Sequence, residues 1–306
     1  MRVAFLGTSA FAVPALRSVA ERHEIGLVVT QPDRPAGRHA VLAVPPVKRA
    51  AAELGLPVLQ PERVNREDVV TALRAARPDV LVVAAYGQLL RPAVFDLAPK
   101  GAINIHASLL PRYRGAAPVN WAIVRGETAT GITTFVIDQG MDTGPILLER
   151  SLAIGTDETA GELELRLAAL GASAIVETLD GLNAGTISPS PQPEGATLAP
   201  KLERDDGRVD WTRPARDVHS LVRGMNPWPG AWATLDGERV KVHRTALTEI
   251  AVGRLSPGAV GPRETGRLLV ACGDLLLEIL EIQRGGRSRT SGGEFQNGLR
   301  RDAAFG

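Results

Sequence analysis

The chain carries a single cysteine, Cys272. That scarcity excludes an intramolecular disulfide and any metal site built on a cysteine pair, and it is usage that a reducing compartment permits. Cys272 sits in an apolar stretch, where a thiol packs as a small hydrophobe. An excess of charge of one sign is also missing, since 35 Lys and Arg stand against 34 Asp and Glu, a formal net charge of +1. No field of the whole chain therefore draws in nucleic acid, and any RNA contact has to come from local basic patches. No apolar run reaches membrane-spanning length. The opening MRVAFLGTSAF lacks the charged start, longer apolar run and small-residue cleavage site of a secretory signal. A cytoplasmic protein with no membrane partner is the expectation. His23, His39, His219 and His243 fall in dissimilar contexts with no pair at metal-ligand spacing, so no metal is expected and each reads as a surface or structural histidine. Solenoid-length repeats are absent.

What is present points to an α/β protein. With 306 residues, 44% of them hydrophobic, the chain can bury one large domain and a smaller one. Apolar β-rich runs alternate with amphipathic ones: Arg2–Gly7 then Pro14–Arg22, Ile25–Thr30 then Val47–Leu54, and Asp68–Arg77 then Asp79–Ala85. Such alternation predicts βαβ units and a parallel sheet. Strands are also expected at Ala102–His106, Ile132–Ile137 and Pro145–Leu152, followed by a long helix over Ala160–Gly181. The proline-alternating Ser188–Gly195, SPSPQPEG, favours an extended spacer. Beyond it come one helical segment, Asp217–Met225, and short strand-like runs at Ala231–Leu235, Arg239–Arg244, Arg267–Ala271 and Leu275–Ile282. The expected fold is a Rossmann-like open, parallel-rich sheet over residues 1–187, a linker at 188–203 and a small OB-like β-barrel over 204–306. Trp211, Trp228 and Trp232 are expected in the barrel core.

The densest chemical signal is Ala102–Arg114, AINIHASLLPRYR. Asn104 and His106 are two residues apart on a strand and so share a face, near the carboxyl end of the sheet where open α/β folds bind ligands. An amide beside an imidazole suits acyl transfer, because the amide can stabilise an oxyanion while the imidazole moves a proton. Asp142, in the glycine-punctuated Asp138–Gly144, can open at the same edge and orient the imidazole. Taken singly, a strand histidine is often just hydrogen-bonded, and an aspartate in a glycine loop often just makes a turn. Gly7 is followed by Thr8, Ser9, Ala10 and Phe11, which is not a GxGxxG fingerprint, so no dinucleotide is invoked.

Asn104, His106, Ser108-Leu109-Leu110-Pro111 and Asp142 resemble the N-x-H…SLLP…D pattern of the 10-formyltetrahydrofolate-dependent formyltransferases. The resemblance implies 10-formyltetrahydrofolate as co-substrate and Asn104, His106 and Asp142 as the catalytic group. It also implies that Tyr86, Gly87, Gln88, Leu89 and Leu90 line the folate slot together with Ser108, Leu109, Leu110 and Pro111, whose loop Ser108–Gly115 (SLLPRYRG) walls the site. Thr30–Arg38 (TQPDRPAGR), Gly55–Pro61 (GLPVLQP), Val83–Leu90 (VAAYGQLL) and Asn226–Pro229 (NPWP) are similar to the branch of the family that formylates methionyl-tRNA. That branch implies initiator methionyl-tRNA as partner, a loop with Arg34 and Arg38 reaching its acceptor stem, a tRNA-binding C-terminal domain and a monomeric enzyme. Family members acting on amino-sugar nucleotides are the alternative. The loop after Arg38 runs His39-Ala40-Val41-Leu42-Ala43-Val44 where the family often places lysines. In the implied reaction the methionine α-amine attacks the formyl carbon directly. Asn104 serves the oxyanion, His106 assists proton movement and charge stabilisation, and Asp142 holds the His106 tautomer and helps shuttle the proton; which of His106 and Asp142 is the base stays open. Arg284–Arg289 (RGGRSR) and Arg300-Arg301 add local positive charge.

Overall fold

A computed structural model describes residues 1–36, 41–262, 266–300 and 303–306. The chain forms two compact units, one of Met1–Gly115, Thr130–Leu152 and Glu164–Leu198, the other of Ala116–Ala129, Ala153–Leu163 and Ala199–Gly306.

In the first unit the strands are β1 (Arg2–Gly7), β2 (Glu24–Val29), β3 (Arg34–Ala36), β4 (Val41–Ala43), β5 (Val58–Leu59), β6 (Val80–Ala84), β7 (Ala102–His106), β8 (Arg114–Gly115), β9 (Ala129–Val136) and β10 (Ile146–Ala153). Helices α1 (Ala12–Arg22), α2 (Pro46–Glu53), α3 (Glu67–Ala75) and α4 (Pro92–Phe95) connect them. The main sheet has the order β10-β9-β7-β6-β1-β2-β5. β1 runs parallel to β2 and β6, β6 to β7 and β2 to β5, while β9 is antiparallel to β7. Central strands of such a sheet are covered on both faces, which is why VAFLG of β1 and VLVVA of β6 are continuous apolar runs, every residue buried. Leu6, Leu73, Leu81 and Tyr86 pack in one core cluster, each fully buried apolar side chain contributing about 1.5–3 kcal/mol.

The connection from β1 leads to β2 on one side, whereas β6, the strand after α3, lies on β1's other side. The reversal leaves a crevice at the carboxyl ends of β1 and β6, the usual ligand position in this architecture. β7, next to β6, ends at the same edge with His106.

Helices α5 (Pro118–Val124) and α6 (Ala160–Ala184) and strand β11 (Leu198–Ala199) precede the C-terminal elements. The second unit then carries α7 (Ala215–Gly224), β12 (Ala231–Leu235), β13 (Glu238–Ala251), β14 (Leu268–Ala271), β15 (Leu275–Arg284), β16 (Thr290–Ser291) and α8 (Gly292–Asn297). β12, β13, β15 and β14 form an antiparallel sheet in that order, with β16 on β15. Asp236 and Gly237, both at positive φ, make the two-residue turn between β12 and β13, the turn that suits the twist of a tight hairpin. The sheet then closes. Gly258 and Gly261 bond back to β14, Phe305 N donates to Gly258 O, and Thr234 and Gly306 exchange two backbone hydrogen bonds of 2.8 Å on β12. Closure removes the open edges that a five-stranded sheet would otherwise expose.

Several elements differ from the sequence expectation. β13 extends to Ala251, well past Arg244, because register shifts at Val242/Arg244, Arg244/Thr245 and Leu247/Ala251 let it bend and remain paired. The β3–β4 hairpin, α5 and α8 carry too little apolar periodicity to announce themselves. Of the three tryptophans expected in the barrel core, Trp211 is there, 4% exposed and packed on Phe305. Trp232 points outward, since Ala231, Ala233 and Leu235 take the inner face of β12, and Arg239 lies 3.5 Å over its ring. Trp228 sits in the Asn226–Pro229 loop, 54% exposed, so its core assignment is corrected.

Candidate active site

β7 is paired on both sides, Asn104 opposite Val83 of β6 and Phe135 of β9, His106 opposite Thr133. Ile103 and Ile105 are buried from the other face. The two polar side chains are thus aimed from a backbone that cannot shift cheaply. The His106 ring is buried, edge-on to Phe135 with centroids 6.4 Å apart. Its Nε2 lies 2.9 Å from the carbonyl oxygen of Tyr113. A carbonyl only accepts, so Nε2 carries the hydrogen and donates, leaving the lone pair of the neutral ring on Nδ1. Nδ1 faces the Asp142 carboxylate, Oδ2 at 3.7 Å. The tautomer is therefore selected by Tyr113, and Asp142 is placed to stabilise a proton that arrives on Nδ1; the expectation that Asp142 sets the tautomer is corrected. Among the described residues no hydrogen bond engages the half-buried Asn104 amide, which remains available as a donor.

Asp142 projects from a loop whose shape follows from its sequence. Asp138 Oδ1 accepts from Gly140 N (3.0 Å) and Thr143 Oγ1 (2.7 Å), and Asp142 itself adopts φ +54°, a left-handed conformation that aspartate tolerates better than most residues. Gly144 is required here, because a Cβ would sit 1.7 Å from the Val136 carbonyl oxygen. The carboxylate accepts from Gly115 N at 2.7 Å through the same Oδ2 that faces the imidazole.

The SLLP loop is held from within. Thr133 Oγ1 donates to Ser108 O (2.7 Å) and accepts from Leu110 N (3.0 Å), while Ser108 Oγ donates to Arg112 O (2.6 Å). Ser108, Leu110 and Pro111 are buried and Leu109 half-buried. The loop brings Tyr113 round at φ +61° so that its carbonyl meets His106.

At the crevice, Tyr86 O accepts from Thr8 Oγ1 (2.9 Å) and Gln31 Nε2 (3.3 Å), tying together the ends of β6, β1 and β2. Tyr86 is buried, which pushes its phenol up to about 12 and keeps it neutral. Gln88 is anchored to Val64 N and Glu62 O, and Asn65 to Leu89 O and Arg91 N. These ties leave Leu89 80% exposed and the N–H groups of Gly87, Leu89 and Leu90 without partners among the described residues.

Residues 1–179 match the family model described as formyl transferase, and 201–300 the formyl transferase C-terminal domain. A methionyl-tRNA formyltransferase of Solibacter usitatus is 51% identical over 302 residues, covering 98% of this chain and 96% of that one. This chain belongs to the methionyl-tRNA formyltransferase family. Among solved structures, HypX of Aquifex aeolicus in complex with tetrahydrofolic acid superposes with TM-score 0.65 at 20% identity, over 99% of this chain and 48% of that one. An N-formyltransferase of Helicobacter canadensis in complex with folinic acid and dTDP-3-aminofucose gives 0.67 at 15%, over 92% and 98%. At those identities the two structures show the fold alone.

The methionyl-tRNA formyltransferases use 10-formyltetrahydrofolate as co-substrate, and the crevice suits it. Unpaired backbone N–H groups beside an exposed leucine offer the donors and apolar surface that a flat heterocycle needs. Among the described residues no His, Cys, Asp and Glu group could hold a metal, and no helix is long and apolar enough to cross a membrane. Of the residues expected to meet tRNA, Arg38 lies outside the described residues. Arg34, on β3, is exposed and bonded to Glu62 at 3.0 Å. Lys48 is tied to Asp33 at 2.7 Å, a bond that, with one from Gln60, holds the Asp33 carboxyl below its ordinary range. The charge of this stretch is thus partly neutralised by its own neighbours.

Sequence reasoning placed Tyr113 and Gly115 in the Ser108–Gly115 wall loop without foreseeing their backbone contacts to His106 and Asp142, and it did not single out Thr133, a β9 side chain facing β7. Gln192 was also missed. Its Nε2 donates to the carbonyls of Asp142 and Gly144, 2.8 Å each. A glutamine between two prolines reads locally as spacer, and nothing in the local pattern shows what an extended segment lies against.

Proposed function

We infer that this protein transfers the formyl group of 10-formyltetrahydrofolate to the α-amine of methionine on initiator methionyl-tRNA, for translation initiation. The observation that carries the chemistry is the His106 ring with Nε2–H committed to Tyr113 and Nδ1 turned to Asp142. The 51% identity to a methionyl-tRNA formyltransferase over nearly the whole chain supports the acceptor.

When bound, the folate supplies the formyl carbon, and every other task falls to side chains. Asn104 donates from its amide to the formyl oxygen as negative charge develops there. His106 takes the amine proton at Nδ1 as the new C–N bond forms, and Asp142, still fixed by Gly115 N, stabilises the resulting imidazolium. The proton then passes to the folate nitrogen as its bond to the formyl carbon breaks. Tyr86, Gly87, Gln88, Leu89 and Leu90 hold the folate, and the Ser108–Pro111 loop walls the site. In this reading residues 1–187 carry the chemistry and 204–306 bind tRNA together with Arg34 and Arg38, while the intervening 188–203 begins as an extended stretch bonded to the first unit through Ser190, Gln192 and Thr197. The enzyme acts in the cytoplasm as a monomer.

Purified protein is offered 10-formyltetrahydrofolate with charged initiator methionyl-tRNA and an amino-sugar nucleotide as competing acceptor. Formyl should appear on the tRNA, fall at least a hundredfold in His106→Ala, and in Arg38→Ala weaken chiefly through KM for tRNA. Transfer to the sugar alone would keep the chemistry and overturn the acceptor.

A further inference from the structure

The strand end that carries His106, through its Tyr113 partner, and the loop that carries Asp142 are joined by a third segment that belongs to neither. Ser190 pairs with Ile146 in both directions, Ile146 N to Ser190 O at 2.7 Å and the reverse at 2.8 Å. Gln192, between Pro191 and Pro193, divides its amide. Oε1 accepts from Arg114 Nε (3.1 Å) and Nη2 (2.6 Å), while Nε2 donates to Asp142 O and Gly144 O. Farther along, Thr197 Oγ1 accepts from Tyr113 N (2.9 Å), and Arg114 N donates to Thr197 O (2.8 Å). Tyr113 is the residue whose carbonyl fixes His106. A single extended stretch thus braces both partners, Gln192 from the aspartate side and Thr197 from the histidine side.

The base of the Asp142 loop is held to β7 by Ile137 N donating to Ala102 O at 2.7 Å and closed by Val136 N on Pro145 O at 2.9 Å, and the Asp138 turn fixes its internal shape. The tip of the loop, which carries Asp142, is tied toward the His106 side by Gly115 N on the carboxylate and by Gln192, which also binds Arg114, one residue from Tyr113. At 3.7 Å the Asp142 carboxylate lies just beyond hydrogen-bond reach of His106 Nδ1, so its position decides whether the pair engages, and a displacement of about 1 Å in such a pair can cost about a hundredfold in rate. The flanking prolines narrow the backbone freedom of the stretch, so little entropy is lost in holding the amide there.

We propose that Gln192 is a positioning residue of the transfer reaction, holding the Asp142 carboxylate against His106 from outside both β7 and the Asp142 loop. This rests on the reading of His106 and Asp142 as the reacting pair. Gln192→Glu separates positioning from bulk, because it keeps the length and the bonds from Arg114 but turns a carboxylate oxygen toward the two carbonyls that Nε2 served.

The test uses the full chain with both substrates and compares wild type, Gln192→Glu, Gln192→Ala, Asp142→Ala and the Gln192→Ala/Asp142→Ala double variant, each checked for an unchanged circular dichroism spectrum. The kcat of Gln192→Glu and Gln192→Ala should fall about tenfold to a hundredfold, with both KM values within about twofold of wild type. In the double variant the Gln192 change should bring no further loss beyond Asp142→Ala, the signature of two residues acting through one contact. Wild-type kcat in Gln192→Glu, or a loss that multiplies that of Asp142→Ala, would overturn the proposal. Wild-type turnover in Asp142→Ala and in a parallel His106→Ala would instead overturn the underlying assignment of the pair.

Discussion

Asp142 has two tasks that a substitution can separate: its Oδ2 accepts from Gly115 N, and its charge faces Nδ1 of His106. Asn at 142 keeps an acceptor and tolerates the left-handed backbone, but carries no charge. Asp142→Asn should therefore fold as the wild type, with an unchanged thermal midpoint, while kcat for formyl transfer falls by about 10²–10⁴. Single-turnover kinetics beside calorimetry would check it, and a loss of stability parallel to the loss of rate would contradict it. Asn104, His106 and Asp142 could be picked out in the sequence because they are polar side chains at a recognisable spacing, and the structure brings His106 Nδ1 and Asp142 Oδ2 to 3.7 Å. The part of Tyr113 was not legible, since its contribution is a backbone carbonyl, which every residue has, delivered by a loop conformation that no local pattern encodes.

Elements add constraints of their own. α8 opens with a capping box, Ser291 Oγ accepting from Glu294 N and the Glu294 carboxylate from Ser291 N. Ser291→Ala should cost about 1 kcal/mol of unfolding free energy, measured in denaturant with m unchanged. On α7, burial is the main cause that lowers His219 from its ordinary 6.5, with Arg223 adding to it against the opposing Thr156 carbonyl and Asp157. His23 and His243 are also lowered, again chiefly by burial. A lowered histidine favours the neutral ring in the folded state, so its contribution is complete above pH 6.5 and is lost as acidification passes below it. Unfolding free energy should consequently drop as pH falls below 6.5, and more steeply in wild type than in His219→Gln. Equal slopes would remove His219 from that account. Most helices and strands were legible as elements because apolar runs and 3.6-residue periodicity are local properties. α8 was hidden for the opposite reason, being six residues of GGEFQN with one aromatic to bury.

For the whole molecule, a net charge of +1 leaves binding of a polyanion to a few local cations. Some of these are already engaged, Arg34 with Glu62 and Arg289 with Glu281 at 3.7 Å. The salt dependence of KM for methionyl-tRNA should therefore be shallow, about tenfold between roughly 50 and 200 mM salt if two phosphates are neutralised. Steady-state titrations at several salt concentrations would test this, and a dependence of about a thousandfold or more would show that many more cations engage the RNA.

Composition and pattern by themselves determined the α/β class, the parallel-rich sheet followed by a β-rich unit, the absence of an intramolecular disulfide and the candidate polar side chains Asn104, His106 and Asp142. These follow from which residues are apolar, at what period, and which carry donors and charges. Only the tertiary structure decided that Trp228 is exposed while Trp211 is buried, that the last residues close the barrel on β12, that Tyr113 selects the His106 tautomer, and that Gln192 reaches the Asp142 loop. Each of those depends on segments distant in sequence meeting in space, and local preference says what a segment can form without saying what it will touch.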